Sequence, residues 1–104
     1  MYIGIDVGGT NLKAGLVDDT GTLVKVERVP LDFQGPEPFA RTLAELAGKV
    51  MAEKVRWVGV GLPGAVDGGD VRFTTNIPME NIPLEKLFRR HLDLPLLLGN
   101  DADC

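Results

Sequence analysis

The residues of this chain best suited to chemistry lie where short apolar runs stop. Tyr2-Ile3-Gly4-Ile5 leads into Asp6-Val7-Gly8-Gly9-Thr10-Asn11, and a second apolar run, Leu12 to Val17, follows at once. Adjacent glycines permit positive φ and let backbone N–H groups approach an anion with no Cβ in the way. Asp6, at the carboxyl end of its run, suits a hydrated Mg²⁺, and the Thr10 hydroxyl can donate to a phosphate oxygen. Gly8-Gly9 also reads as an ordinary two-residue hairpin turn. Lys13 is close enough to touch a phosphate, although a strand lysine is usually just solvated. Near the far end, Pro95-Leu96-Leu97-Leu98 stops at Gly99-Asn100-Asp101. A carboxylate at Asp101 can take the proton of a hydroxyl that attacks a phosphoryl group, and Asn100 offers that hydroxyl's neighbour both a donor and an acceptor. Asn-Asp is equally a common turn pair. Between these ends lie Leu62-Pro63-Gly64-Ala65, a tight loop whose backbone can come close to a ligand or simply turn, and Asn76, which can bind a polyol hydroxyl or cap its own loop.

These residues need a scaffold, and the apolar pattern supplies one. The first thirty residues read as a three-stranded antiparallel meander: Ile3 and Ile5 in the first strand, Leu12, Ala14 and Leu16 in the second, and Val24 and Val26 opposite Lys25 and Glu27 in a third that Pro30 ends. Gly35-Pro36-Glu37-Pro38 opens a helix whose residues Phe39, Leu43, Leu46, Ala47 and Val50 recur at helical spacing. Trp57 to Gly61 is a buried strand parallel to the first, so the sheet is mixed. Val66 to Val71 reads as a tiny hairpin closed by Gly68-Gly69. Pro83 fits the first turn of a short helix burying Leu84, Leu87, Phe88 and Leu92, with His91 near its end as a partner for the helix dipole. The last strand is Pro95 to Leu98. Gly59-Val60-Gly61-Leu62-Pro63-Gly64 satisfies the dinucleotide fingerprint, but a hairpin rather than a helix is expected after it, which removes the dipole that would hold a pyrophosphate.

Composition narrows the function classes. The chain has 104 residues, 44% of them hydrophobic, in keeping with one soluble core. No apolar run approaches the ~20 residues of a membrane span, and Met1 leads straight into a strand, so a cytoplasmic protein without a membrane partner is expected. One cysteine, Cys104, and one histidine, His91, exclude an internal disulfide framework and a closed Cys/His zinc site. A net charge of −4 with scattered Lys and Arg argues against nucleic acid.

Taken in order, three segments resemble the ROK family of bacterial sugar kinases and related repressors: Ile3 to Asp18, Val58 to Asp67, and Leu98 to Ala102. The resemblance implies an α/β domain of the actin-like, ribonuclease-H-like ATPase superfamily. Its mixed five-stranded sheet would have three antiparallel strands and then parallel ones, with helices between them. It implies ATP and Mg²⁺ as cofactors and a sugar as substrate, with γ-phosphoryl transfer to a sugar hydroxyl. Asp6, Gly8, Gly9 and Thr10 match the first phosphate motif, Asp101 the catalytic base, and Pro63, Gly64, Asn76 and Asn100 positions that touch the sugar.

Two departures bear on this. Pro78-Met79 stands where the family often carries an aromatic residue, and the family's second half lies outside residues 1–104. That half carries the adenosine-binding segments, the structural zinc motif and further sugar ligands. The chain is therefore expected to be the N-terminal domain of a glucokinase-like enzyme, inactive by itself for lack of a closed cleft. A face meant for a second domain would favour self-association, so a homo-oligomer is expected. The alternatives are the sugar-sensing part of a ROK repressor and a non-catalytic ATPase-like scaffold. The repressor would carry a helix-turn-helix segment ahead of the first strand, where Met1 stands here.

Overall fold

The computed structural model describes residues 1–75 and 77–100. Strands β1 (Tyr2–Val7), β2 (Asn11–Val17) and β3 (Leu23–Pro30) form the expected meander. Helix α1 (Pro36–Lys49) then crosses to β4 (Val58–Leu62), which pairs with β1 in parallel, and β8 (Leu96–Asn100) adds to β4 in parallel. The five-stranded sheet therefore has the order β3-β2-β1-β4-β8, three antiparallel strands followed by parallel ones.

Period-two alternation decides which face is core. Ile3, Ile5 and Val7 on β1, Leu12, Ala14 and Leu16 on β2, Val58, Val60 and Leu62 on β4, and Leu96 on β8 are all buried. Helix α1 covers that face with Phe39, Ala40, Leu43, Ala44, Leu46 and Ala47. Pro36 in its first turn supplies a preset φ where no N–H is needed, and Glu37 and Lys49 sit at the ends that favour their charges. The helical stripe expected from the sequence is the buried one, including Val50 at the C-cap.

Several local expectations need correction. On the third strand the register sets Lys25 and Glu27 opposite the buried Leu16 and Ala14, so Val26, opposite Gly15, lies on the other face, and Val24, at the register shift, is 54% exposed. Trp57 precedes β4 and stacks on Tyr2, ring centroids 4.4 Å apart. The tiny hairpin is part of a second, three-stranded antiparallel sheet: β5 (Gly64–Asp67), β6 (Asp70–Thr74) and β7 (Glu80–Ile82). Its turn falls at Gly68-Gly69 as expected, with Gly68 at φ 61°. The strand-forming run Val71-Arg72-Phe73-Thr74 was a legible signal for the longer pairing. Helix α2 (Leu84–Phe88) is capped by Pro83 instead of containing it, and it buries Leu84 and Phe88 fully but Leu87 and Leu92 only in part. His91 lies beyond α2 and pairs with Glu37 of α1 at 3.2 Å. Strand β5, not a helix, follows Gly59-Val60-Gly61-Leu62-Pro63-Gly64, which removes the dinucleotide reading. Among the described residues no helix is long and apolar enough to cross a membrane.

Candidate functional site

Parallel pairing brings the carboxyl ends of β1, β4 and β8 to one edge of the sheet. Asp6 is in register with Gly61, and Gly61 with Gly99, while Leu62 pairs with Asn100 one position further on. Strand spacing then separates Asp6 from Gly99 by about 10 Å. That edge is where open α/β sheets gather ligands, because the loops leaving the strand ends are free to shape a site.

On one side of this edge lies Asp6. Alternation turns it away from the core, and its exposed carboxylate makes no ion pair or hydrogen bond with another described residue. Lys13 is its cross-strand partner on β2, and Asp6, Lys13, Gly61 and Gly99 all line an open groove of about 700 Å³ on the uncovered face of the sheet. No cluster of three or more His, Cys, Asp or Glu able to hold a metal occurs among the described residues. A single exposed carboxylate nevertheless fits Mg²⁺, which keeps most of its water and takes few protein ligands.

The turn from Gly8 to Asn11 differs from expectation in its backbone. Neither Gly8 nor Gly9 has a φ in the left-handed range, so the glycines are not required for positive φ. Gly8 donates its N–H to the Asn11 carbonyl at 2.9 Å, which closes the turn and withdraws that N–H from any ligand. The Gly9 and Thr10 N–H groups take no acceptor among the described residues. A Cβ built on Gly9 would meet nothing within 4 Å, so the space above it is open to an anion. The Thr10 hydroxyl accepts from the Asn11 amide at 3.1 Å and keeps its own proton to donate, while Leu31 N–H fixes the Thr10 carbonyl at 2.9 Å. The turn thus leaves the Gly9 and Thr10 N–H groups and the Thr10 hydroxyl proton unused among the described residues.

Across the edge, the Pro63-Gly64 segment is held from both sides. Asn100 donates its side-chain amide to the Gly64 carbonyl at 2.7 Å. Thr75 donates both its backbone N–H, at 2.7 Å, and its hydroxyl, at 2.9 Å, to the Pro63 carbonyl. Gly64 is needed for a close approach within the protein: a Cβ there would collide with the Phe73 carbonyl oxygen and lie 2.8 Å from the Thr74 Cα. Thr75 was missed in the sequence, where only its polar neighbour Asn76 drew attention. Asn76 and Asp101 lie outside the described residues; the described chain carries their neighbours, Thr75 and Asn100, to this edge.

The mixed sheet, three antiparallel strands followed by parallel ones, has the actin-like ATPase fold of the solved sugar kinases it superposes on. The chain belongs to the ROK family, whose profile matches residues 2–104. It is 38% identical over 106 aligned residues to a glucokinase of Thermotoga maritima, covering 97% of this chain and 33% of that protein. With an N-acetyl-D-glucosamine kinase of Vibrio parahaemolyticus it shares 35% identity, over 100% of this chain and 36% of the other. The crystal structure of a ROK glucokinase from Streptomyces griseus, in complex with glucose and AMPPNP, superposes with a TM-score of 0.84 at 30% identity, covering 97% of this chain and 33% of that one. The chain thus spans about a third of the length of these relatives.

Proposed function

We propose that residues 1–104 are the N-terminal ATPase-like domain of an ATP-dependent sugar kinase, glucokinase-like in the broad sense, which transfers the γ-phosphoryl group to a sugar hydroxyl. One observation carries this reading: a turn with two unused N–H groups and a braced polar loop stand at neighbouring strand ends, joined by the Asp6–Gly61–Gly99 register. Phosphoryl transfer asks for little more than positioning and charge neutralisation, with one group orienting the nucleophile. The relatives named as glucokinase and N-acetyl-D-glucosamine kinase support the same class.

Each residue then has a role. The Gly9 and Thr10 N–H groups and the Thr10 hydroxyl bind phosphate oxygens, with Lys13 beside them. Asp6 would hold Mg²⁺ through water, and bound metal would supply charge neutralisation at the phosphates. Pro63, Gly64, Asn76 and Asn100 position the sugar, and Asp101 takes the proton of its attacking hydroxyl. A second domain closes the cleft against water, so the isolated 104 residues are expected to show no turnover.

The test is a coupled kinase assay on the complete open reading frame with ATP, Mg²⁺ and a panel of hexoses and N-acetylated amino sugars, beside an Asp101→Asn variant. Turnover on one sugar, falling by orders of magnitude in the variant, supports both the activity and the base. No turnover on any sugar from a folded protein would leave Asp101 as a turn residue and favour a sensor or scaffold.

A further inference from the structure

Pro63 is a bend between β4 and β5, and in the Pro63-Gly64 strap both carbonyls are taken by donors from two different parts of the chain. Thr75, at the end of β6, donates twice to the Pro63 carbonyl, and Asn100, at the end of β8, donates to the Gly64 carbonyl. With Gly64 in close contact with the Phe73–Thr74 backbone, the strap has little freedom to rotate about its own axis. The donors come from different sheets, so the clamp also ties β5-β6-β7 to the edge of the main sheet.

The described residues around Thr75 are held as well: the Thr74 hydroxyl donates to the Ile77 carbonyl, and Met79 N–H donates to the same carbonyl at 2.8 Å. Thr75 is exposed, so its hydroxyl contributes nothing to the packed core, and the bond it makes is across 12 residues of chain.

We infer that Thr75 is a positioning residue for the sugar subsite, its hydroxyl setting the Pro63-Gly64 strap against Asn100 so that the strap meets the substrate in one fixed arrangement. The inference rests on the sugar-kinase reading and adds to it a residue that touches no substrate. Its signature is a split in the kinetic constants. Loss of the hydroxyl loosens the sugar side alone and leaves the phosphate turn, on the other side of β4, as it was.

The experiment compares Thr75→Val and Thr75→Ser in the protein expressed from its complete open reading frame. Valine keeps the shape and the backbone donor but loses the hydroxyl; serine keeps the hydroxyl. Thr75→Val is expected to raise the KM for the sugar by about three- to tenfold, the range of one hydrogen bond, with the KM for ATP and the melting temperature unchanged. Thr75→Ser should restore the sugar KM, and backbone hydrogen exchange of residues 62–66 should be faster in the valine variant only. Unchanged sugar KM and exchange in Thr75→Val would overturn the inference, as would equal losses in ATP and sugar KM or failure of serine to rescue. Absence of turnover in the unmodified protein would instead remove the sugar-kinase reading, and this role of Thr75 with it.

Discussion

Two glycine-bearing segments stand at neighbouring strand ends, and they use glycine for opposite purposes. In the turn after β1, a Cβ on Gly9 would enter open space, and the N–H groups of Gly9 and Thr10 have no acceptor among the described residues. In the strap after β4, a Cβ on Gly64 would strike the Phe73 carbonyl, and both carbonyls of the strap are already taken. One segment leaves its space and donors open; in the other, atoms of the chain itself fill the space beside Gly64 and bond both carbonyls. The lesson is that a glycine at a strand end says nothing by itself about ligands. What decides is whether the volume it leaves is empty or filled.

Substitutions at the two segments should therefore separate function from folding, and the largest effect is expected at Asp6, beside the open turn. Asp6→Asn in the protein from the complete reading frame should lower turnover by about 100-fold or more with the melting temperature unchanged, since the carboxylate is exposed and has no described partner. A variant that melts early would instead make Asp6 a structural residue. Next comes the filled segment. Gly64→Ala should destabilise the domain by about 3 kcal/mol, because backbone atoms rather than a flexible side chain occupy the position of the new methyl. Denaturant unfolding that shows no loss would mean the strap is looser than its contacts indicate.

Gly9→Ala makes the contrast sharper. Its φ lies outside the left-handed range and its methyl meets no atom, so stability should hold. The methyl would occupy space assigned to a phosphate, and the KM for ATP should rise by about tenfold while that for the sugar stays put. If stability falls instead, the turn resembles the strap and the comparison fails.

The smallest effect is expected at a third turn, far from the site, that serves as a control. Asp18 accepts from the Thr20 hydroxyl at 2.6 Å and from the N–H groups of Thr20 and Thr22 at 2.9 and 3.0 Å. These bonds, the Thr20 hydroxyl first, hold its carboxyl below the usual carboxylate range. A lowered folded value means that the stabilisation is present above the unfolded pKa of about 3.9 and is lost as pH falls through the folded one. Asp18→Asn should thus lower the melting temperature slightly at pH 7, with the gap closing as the pH is taken below about 4, and should leave every kinetic constant unchanged.

Much of this was legible before any coordinates. The alternation of Ile3 and Ile5 and the helical stripe from Phe39 to Val50 report directly on burial, and both faces came out as read. The parallel direction of β4 followed from a long helical connection that cannot close a hairpin, whereas its pairing with β1 and the strand order came only from the fold. The valines of β3 failed because alternation shows which residues share a face but not which face is core: the register sets Lys25 and Glu27, not Val26, opposite the buried Leu16 and Ala14. The second sheet was only partly seen, since its third strand has three residues and no periodicity to detect.

For the site, residue types at strand ends carry their chemistry with them. Asp6 can ligate and Thr10 can donate wherever they stand, and apolar periodicity forces both to the carboxyl end of β1. Sequence alone therefore determined the core face, the element order and the chemical kinds of group at the sheet edge. Tertiary structure alone decided the rest: that Gly8 N–H closes the turn while Gly9 and Thr10 stay available, that Gly64 answers to the Phe73 carbonyl, and that Thr75 and Asn100 clamp one strap. The reason is one of range. Periodicity is a property of neighbours along the chain, whereas a claimed carbonyl depends on donors 12 to 36 residues away, as Thr75 is from Pro63 and Asn100 from Gly64.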